Sequence, residues 1–404
     1  MTSFVYILFL LLSLGIFYFC GKNISKTGKI FSKYGIIIIL VFTLNEGLRY
    51  GRGIDYNVYG IHFERYVNGE SIDKNEFLYV WLVKFLIQFE IPFQGLIIIQ
   101  SLIFIIALLY FLNNFKQILP YALPLFYLFT VYSFENLIRW FMGFSLILIG
   151  LSFLLKGNKK LFFSISLLSI FIHLGLLPIP FLFYLIYCYK KILFHPLVSI
   201  GGYLFFALLF KIDFMLNFTG VVNQLGYFIS NETAAGYVEN AEYWLSSGYS
   251  GILRSGLDSV RFIVFSSLLI ILGYYFSKNN TNQNYLLVYN LYAIGFMFKP
   301  IGNVAEIFSR YDLVFLIFNG IICALIMTEL RNKKLIQSIV LKTAFYFIFI
   351  ISISYYFIDP FRYPNHYLYV WDNSSYKKMI MIWHDDSYIQ SKSGSSSKSF
   401  FSDL

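Results

Sequence analysis

The chain has 404 residues, of which 58% are hydrophobic and only 13% charged, about half the charged share of a soluble domain. Two soluble domains would fit that length, but no stretch has the polar composition of one, so a single membrane-embedded bundle is expected. The formal charge of +10 does not indicate nucleic acid, because the lysines gather in short connections between apolar runs.

Taken in order, about twelve apolar runs read as spans: 3–20, 34–48, 95–112, 118–134, 137–155, 161–173, 175–189, 192–210, 259–276, 285–298, 310–328 and 339–358. Several fall short of the ~20 residues of a full crossing, which suits tilted, broken or half-buried helices. The first run has no basic segment before it and no small-residue cleavage site after it, so it reads as a retained helix. Lys22, Lys26, Lys29 and Lys33, then Lys156, Lys159 and Lys160, Lys190 and Lys191, and Arg331, Lys333 and Lys334 form a positive-inside pattern that puts those connections in the cytoplasm. Parity then requires that the short apolar segment 77–89 not cross, making it a re-entrant or interfacial helix on the outer side. The expected fold class is an all-α polytopic integral membrane protein, with about twelve transmembrane helices plus that outer helix. Residues 1–358 would form the bundle, with a large extracytoplasmic loop at about 211–258, and residues 359–404 an extracytoplasmic tail whose Ser- and Lys-rich end is expected to be disordered.

On this topology Arg49, Arg52, Arg139 and Arg310 all fall at the lips of apolar runs on the outer face. Arginine close to hydrocarbon is costly and so tends to mark a site. Its planar fork of donors also matches phosphate oxygens. Arg49 and Arg52 lie in Leu48-Arg49-Tyr50-Gly51-Arg52-Gly53-Ile54-Asp55-Tyr56-Asn57-Val58-Tyr59, where glycine-freed amides beside guanidinium groups could cradle an oxyanion. Headgroup contact and an aromatic belt would explain the same segment. Arg139, in Glu135-Asn136-Leu137-Ile138-Arg139-Trp140, could equally snorkel to the interface. Arg310, in Glu306-Ile307-Phe308-Ser309-Arg310-Tyr311-Asp312, could simply pair with Glu306 one turn away. His173 ends an apolar run, where a histidine serves as a base or as a hydrogen-bonded structural group.

Other patterns carry less. Gly51-Arg52-Gly53 is not a nucleotide loop, since no Gly-Lys-Ser/Thr follows. No nucleophile elbow is present. Cys20, Cys188 and Cys323 suggest neither a disulfide framework nor zinc, and His384-Asp385-Asp386 lacks a partner at metal-site spacing. No metal or cofactor is therefore expected.

The order of these pieces resembles the EpsG-like branch of the Wzy-type O-antigen and exopolysaccharide polymerases. An early Arg-x-x-x-Gly-x-Asp-Tyr-x-x-Tyr patch is matched at Arg49, Gly53, Asp55, Tyr56 and Tyr59, and Asn-x-x-Arg at Asn136 and Arg139. A helix-closing Phe-His is approximated by Ile172-His173, and a late Ser/Ala-Arg helix start by Ser309, Arg310 and Tyr311. The anchors cover roughly residues 40–330. Two positions depart: the usual Arg-Gln is Arg139-Trp140, and a serine common after the histidine is Gly175.

The resemblance implies a metal- and nucleotide-independent glycosyl transfer on the outer face of the cytoplasmic membrane, facing periplasm or exterior. A growing glycan on undecaprenyl diphosphate would pass to a lipid-linked repeat unit, with a flippase and a chain-length regulator as further partners. His173 would be the base, with Asp55 or Glu306 as alternates. Arg49, Arg52, Arg139 and Arg310 would bind the diphosphate, and Tyr56, Tyr59 and Tyr311 the glycan. A lipid-linked oligosaccharide flippase and an O-antigen ligase are the competing readings, because both must also hold a lipid diphosphate. A transporter, however, would place ionisable groups near the bilayer midplane.

Overall fold

The computed structural model describes residues 2–53, 55–70, 76–211, 256–280, 282–302, 306–331, 339–362 and 367–371. Helices α1 (Thr2–Thr27), α2 (Lys33–Gly47), α3 (Asp55–Val67), α4 (Phe77–Gln88), α5 (Phe93–Leu112), α6 (Leu119–Asn136) and α7 (Ile138–Leu155) make up the first part. After them come α8 (Lys159–Leu167), α9 (Pro178–Cys188), α10 (Pro196–Lys211), α11 (Gly256–Asn279), α12 (Asn284–Gly302), α13 (Glu306–Leu316), α14 (Asn319–Arg331) and α15 (Ile339–Arg362). Strands β1 (Arg49–Tyr50) and β2 (Leu368–Tyr369) pair antiparallel, Arg49 opposite Tyr369.

Local chemistry sets several boundaries. Pro178 and Pro196 open α9 and α10, where a missing N–H costs nothing. The Asn158 side chain caps α8 by accepting the Leu161 N–H at 3.0 Å. Phe115 has non-helical backbone angles and breaks the chain between α5 and α6.

The fold is helical, as expected, and six stretches of the described chain are long and apolar enough to cross a membrane: Ser3–Thr27, Phe93–Asn136, Ile138–Leu155, Val260–Asn279, Phe308–Arg331 and Ile339–Arg362. Three shorter apolar helices, Phe77–Gln88, Leu174–Cys188 and Pro196–Leu209, accompany them. The expected span 161–173 instead becomes the short helix α8 followed by 3-10 turns. Ile339 and Val340 on α15 and Leu197 on α10 stay more than two-thirds exposed, as side chains meeting lipid would be.

Three elements, β1, α3 and β2, lie where the sequence suggests only loop and tail. Within 49–76, Tyr56, Tyr59, Phe63 and Tyr66 recur at helical spacing and form the buried stripe of α3. They pack with Tyr79, Val83 and Leu86 of α4, Leu96 and Ile97 of α5, and Ile138 and Met142 of α7, a cluster separate from the main core. At 12 residues, α4 is about 18 Å long, short of a ~30 Å hydrocarbon core. The start of the expected tail is drawn inward: Tyr367, Leu368 and Tyr369 are buried, and the Val370 N–H donates to the Leu48 carbonyl at 3.0 Å. The large loop expected at 211–258 and the tail end lie almost wholly outside the described residues.

Candidate functional site

The four arginines fall into two environments. Arg49 and Arg52, in and just after β1, are fully buried. The Arg49 guanidinium donates to the Glu46 carbonyl at 2.9 Å and to Gln100 Oε1 at 2.8 Å, above the Phe134 ring. Arg52 donates from Nη1 to Glu135 Oε1 at 2.8 Å and from Nε to the Leu368 carbonyl at 3.1 Å. Glu46 lies 3.9 Å from the same Nη1. Tyr369 and Tyr6 flank the guanidinium at 4.2 and 4.9 Å. Tyr127 donates to Glu46 Oε1 at 2.5 Å, and Tyr369 donates to Asn45 Oδ1 at 2.5 Å. This is a closed ionic core joining α2, β1, α6 and β2. Arg52 faces the Glu135 carboxylate and Arg49 a backbone carbonyl and an amide oxygen, both fully buried, and a diphosphate could reach them only by displacing those partners.

Gly53 sits against this core with φ +86°. A Cβ there would come within 2.7 Å of Asn136 Cα and the Glu135 carbonyl. Asn136 itself accepts the Asp55 N–H at 2.9 Å, tying the start of α3 to the end of α6. The early patch thus docks a helix. Tyr56 is buried and donates to Gln94 Oε1 at 3.0 Å, a contact within the second cluster.

Arg139, His173, Tyr59 and Tyr311, by contrast, do converge. Arg139 opens α7 and is 15% exposed, with its guanidinium 5.2 Å from the Tyr59 ring and 5.3 Å from the Tyr79 ring. Nη1 donates to Glu76 Oε2 at 2.7 Å. Glu76 directly precedes α4, and its Oε1 lies 3.3 Å from His173 Nδ1 and 3.4 Å from the Leu174 N–H. The Trp140 ring meets His173 and Tyr311 edge-on, at 5.2 and 5.4 Å, and the Tyr311 hydroxyl donates to the Gly175 carbonyl at 2.8 Å. A Cβ at 175 would stand 3.1 Å from Trp140, so the tryptophan at 140 and the glycine at 175, the two departures from the family pattern, fit one another.

His173 has extended backbone angles between the two 3-10 turns that join α8 to α9. Burial, reinforced by the charges of Arg139 and Arg310, pushes its imidazole down to about 3. The Glu76 carboxylate acts the other way. Arg310, half-buried on α13, is therefore close enough for its charge to register at His173. The Glu306 side chain lies outside the described residues. Asp55 is half-buried at the start of α3, and its charge is felt at Tyr59. Among the described residues no group of three or more His, Cys, Asp or Glu could hold a metal ion.

Compared with known protein families, the chain matches the EpsG family over residues 32–369, which is 338 of its 404 residues. The chain belongs to the EpsG family. Neither the curated proteins nor the solved structures contain a match. Membership makes this a membrane protein of polysaccharide biosynthesis and agrees with the resemblance drawn from the short motifs. The EpsG match ends at Tyr369, on the strand that closes over Arg52. Sequence reasoning missed Glu76, Glu46 and Tyr79. Glu76 has an apolar helix after it but a partner 63 residues away, and nothing local announces that pairing.

Proposed function

We propose that this EpsG-family chain is a polysaccharide polymerase. It transfers a growing glycan from undecaprenyl diphosphate to the sugar of a lipid-linked repeat unit, on the outer face of a bundle of about twelve spans. One observation carries the reading: His173 lies beside the Arg139–Glu76 ion pair, close enough to Arg310 to feel its charge, with Trp140 and Tyr311 packed edge-on next to it.

In this scheme Arg139 and Arg310 grip the diphosphate and absorb the charge that grows as it leaves. Preorganised cations are worth most in such a water-poor setting. The acceptor hydroxyl loses its proton to His173 as its oxygen bonds to the anomeric carbon. The bond from that carbon to the diphosphate oxygen breaks, and the electron pair leaves with undecaprenyl diphosphate. Burial holds the imidazole down first and the arginine charges second; a bound anion offsets the second cause and so makes His173 a stronger base when substrate is present. Tyr311, half-buried beside Trp140, offers a face for a sugar ring, while Tyr59 is buried under the Arg139 guanidinium. Asp55 is an alternate base.

The test is reconstitution of the purified protein with lipid-diphosphate-linked repeat units. A ladder of longer glycans, with no nucleotide sugar or ATP added, is expected. Repeat units that appear on the opposite leaflet without elongation would identify a flippase instead. Transfer of the glycan only to a non-repeat acceptor would identify a ligase.

A further inference from the structure

Glu76 is placed oddly for a carboxylate at a helix start. It occupies the N-cap position of α4 but makes no side-chain capping bond to that helix. Its two oxygens instead reach other parts of the chain. Oε2 receives the Arg139 guanidinium at 2.7 Å, and Oε1 stands 3.3 Å from His173 Nδ1. The side chain is only 12% exposed, so it is committed to these neighbours.

The surroundings of His173 leave its tautomer balanced. The Gly175 N–H also points at Nδ1, from 3.3 Å. If Nδ1 keeps its lone pair for Gly175, the proton sits on Nε2 and that nitrogen cannot act as a base. If Nδ1 carries the proton, it donates to Glu76 and the Nε2 lone pair is free. Among the described residues, the charged and titratable groups around the ring are Glu76 ahead of α4, Arg139 on α7, and Arg310 and Tyr311 on α13. Among them, Glu76 touches both an anion-binding group and the imidazole.

We propose that Glu76 couples diphosphate binding to activation of His173. It occupies Arg139 while the site is empty, yields that guanidinium to the diphosphate, and then holds the Nδ1 proton so that Nε2 faces the acceptor hydroxyl. This rests on the polymerase reading above. Both contacts already exist, so the exchange needs a turn of one carboxylate rather than a backbone movement. Glu76 is a positioning residue: it touches neither sugar nor diphosphate.

An internal competitor makes an unusual prediction, because its removal should strengthen binding while weakening catalysis. The experiment compares Glu76→Gln and Glu76→Asp with the parent, measuring kcat and KM for elongation and, separately, the affinity of the purified protein for inorganic pyrophosphate. Glu76→Gln should bind pyrophosphate about tenfold more tightly, a change of ~1.4 kcal/mol. Its kcat should fall by about 10²-fold, the low end for losing an oriented general base. Glu76→Asp should recover part of kcat and bind pyrophosphate like the parent. With Arg139→Ala already present, Glu76→Gln should alter pyrophosphate affinity no further. A fall in kcat with unchanged or weaker pyrophosphate binding would overturn the coupling, as would an unaltered kcat. Failure of the parent protein to elongate anything would overturn the polymerase reading itself, whereas a parent that elongates beside a Glu76→Gln variant lacking opposed changes overturns only the coupling.

Discussion

Replacing Arg52 with alanine distinguishes a diphosphate ligand from a structural cation, because the two roles predict different losses. The substitution removes the 2.8 Å ion pair with Glu135, the 3.1 Å bond to the Leu368 carbonyl and the contacts with the Tyr369 and Tyr6 rings. It also leaves Glu135 and Glu46 facing one another with no exposed surface between them. Breaking one side of a buried pair typically costs about 3–5 kcal/mol, most of it from the charge left behind. Folded proteins hold only about 5–15 kcal/mol in reserve, so Arg52→Ala should accumulate poorly and unfold well below the parent in detergent, with tryptophan fluorescence as the readout. Arg52→Met combined with Glu135→Gln removes both charges of the pair and should regain ~1–3 kcal/mol of the loss, the usual coupling between contacting groups. An Arg52→Ala protein that melts like the parent and loses only pyrophosphate binding would refute this reasoning and restore Arg52 as a substrate ligand.

Other perturbations address the site and its frame. Arg139→Ala and Arg310→Ala should abolish polymer while leaving membrane insertion intact, Arg139→Ala with some loss of stability because it strands Glu76; full activity in Arg310→Lys would rule out forked recognition of phosphate there. Gly53→Ala should destabilise by about 1–3 kcal/mol, because a left-handed backbone and two contacts at 2.7 Å both oppose a side chain; an unchanged unfolding temperature would contradict the close approach of α3 to α6. His173 is held near 3 in the folded chain against ~6.5 when unfolded, so its neutral form contributes stability that is complete above about pH 6.5 and is lost as pH falls toward 3. The parent should therefore exceed His173→Gln in unfolding temperature by more at pH 7.5 than at pH 4.5, and a pH-independent gap would count against a buried neutral imidazole. In a Cys188→Ser background, Asn68→Cys should react with an impermeant thiol reagent from outside and Lys159→Cys only after permeabilisation; reaction at 159 from outside would overturn the positive-inside orientation.

How far the sequence could be read depends on the range of the interaction that gives each residue its role. Hydropathy is a local property, and it sufficed for the membrane class and for the presence of the short apolar helix α4. Arg139 and His173 stand out as candidates in the sequence because arginine and histidine at the ends of apolar runs are costly unless they serve something. The same rule could not separate Arg139 from Arg52. Both sit at a lip beside aromatic residues, but the Arg52 partner Glu135 is 83 residues away and its tyrosine lid, Tyr369, lies in a segment that reads as tail. The Tyr56-Tyr59-Phe63-Tyr66 spacing of α3 was available in the sequence, but its many polar neighbours mask a helix whose apolar stripe is almost wholly aromatic. Glu76 is the extreme case, since a carboxylate beside an apolar segment is unremarkable until the fold brings Arg139 and His173 to its two oxygens. The two ionic clusters therefore divide the labour: the fully buried one around Arg52 fixes α6 against β1 and β2, and that anchorage sets the start of α7, from which Arg139 reaches Glu76. A substrate site built on helix ends needs such a frame, because an arginine displaced by 1 Å loses the geometry that lets it meet a developing charge.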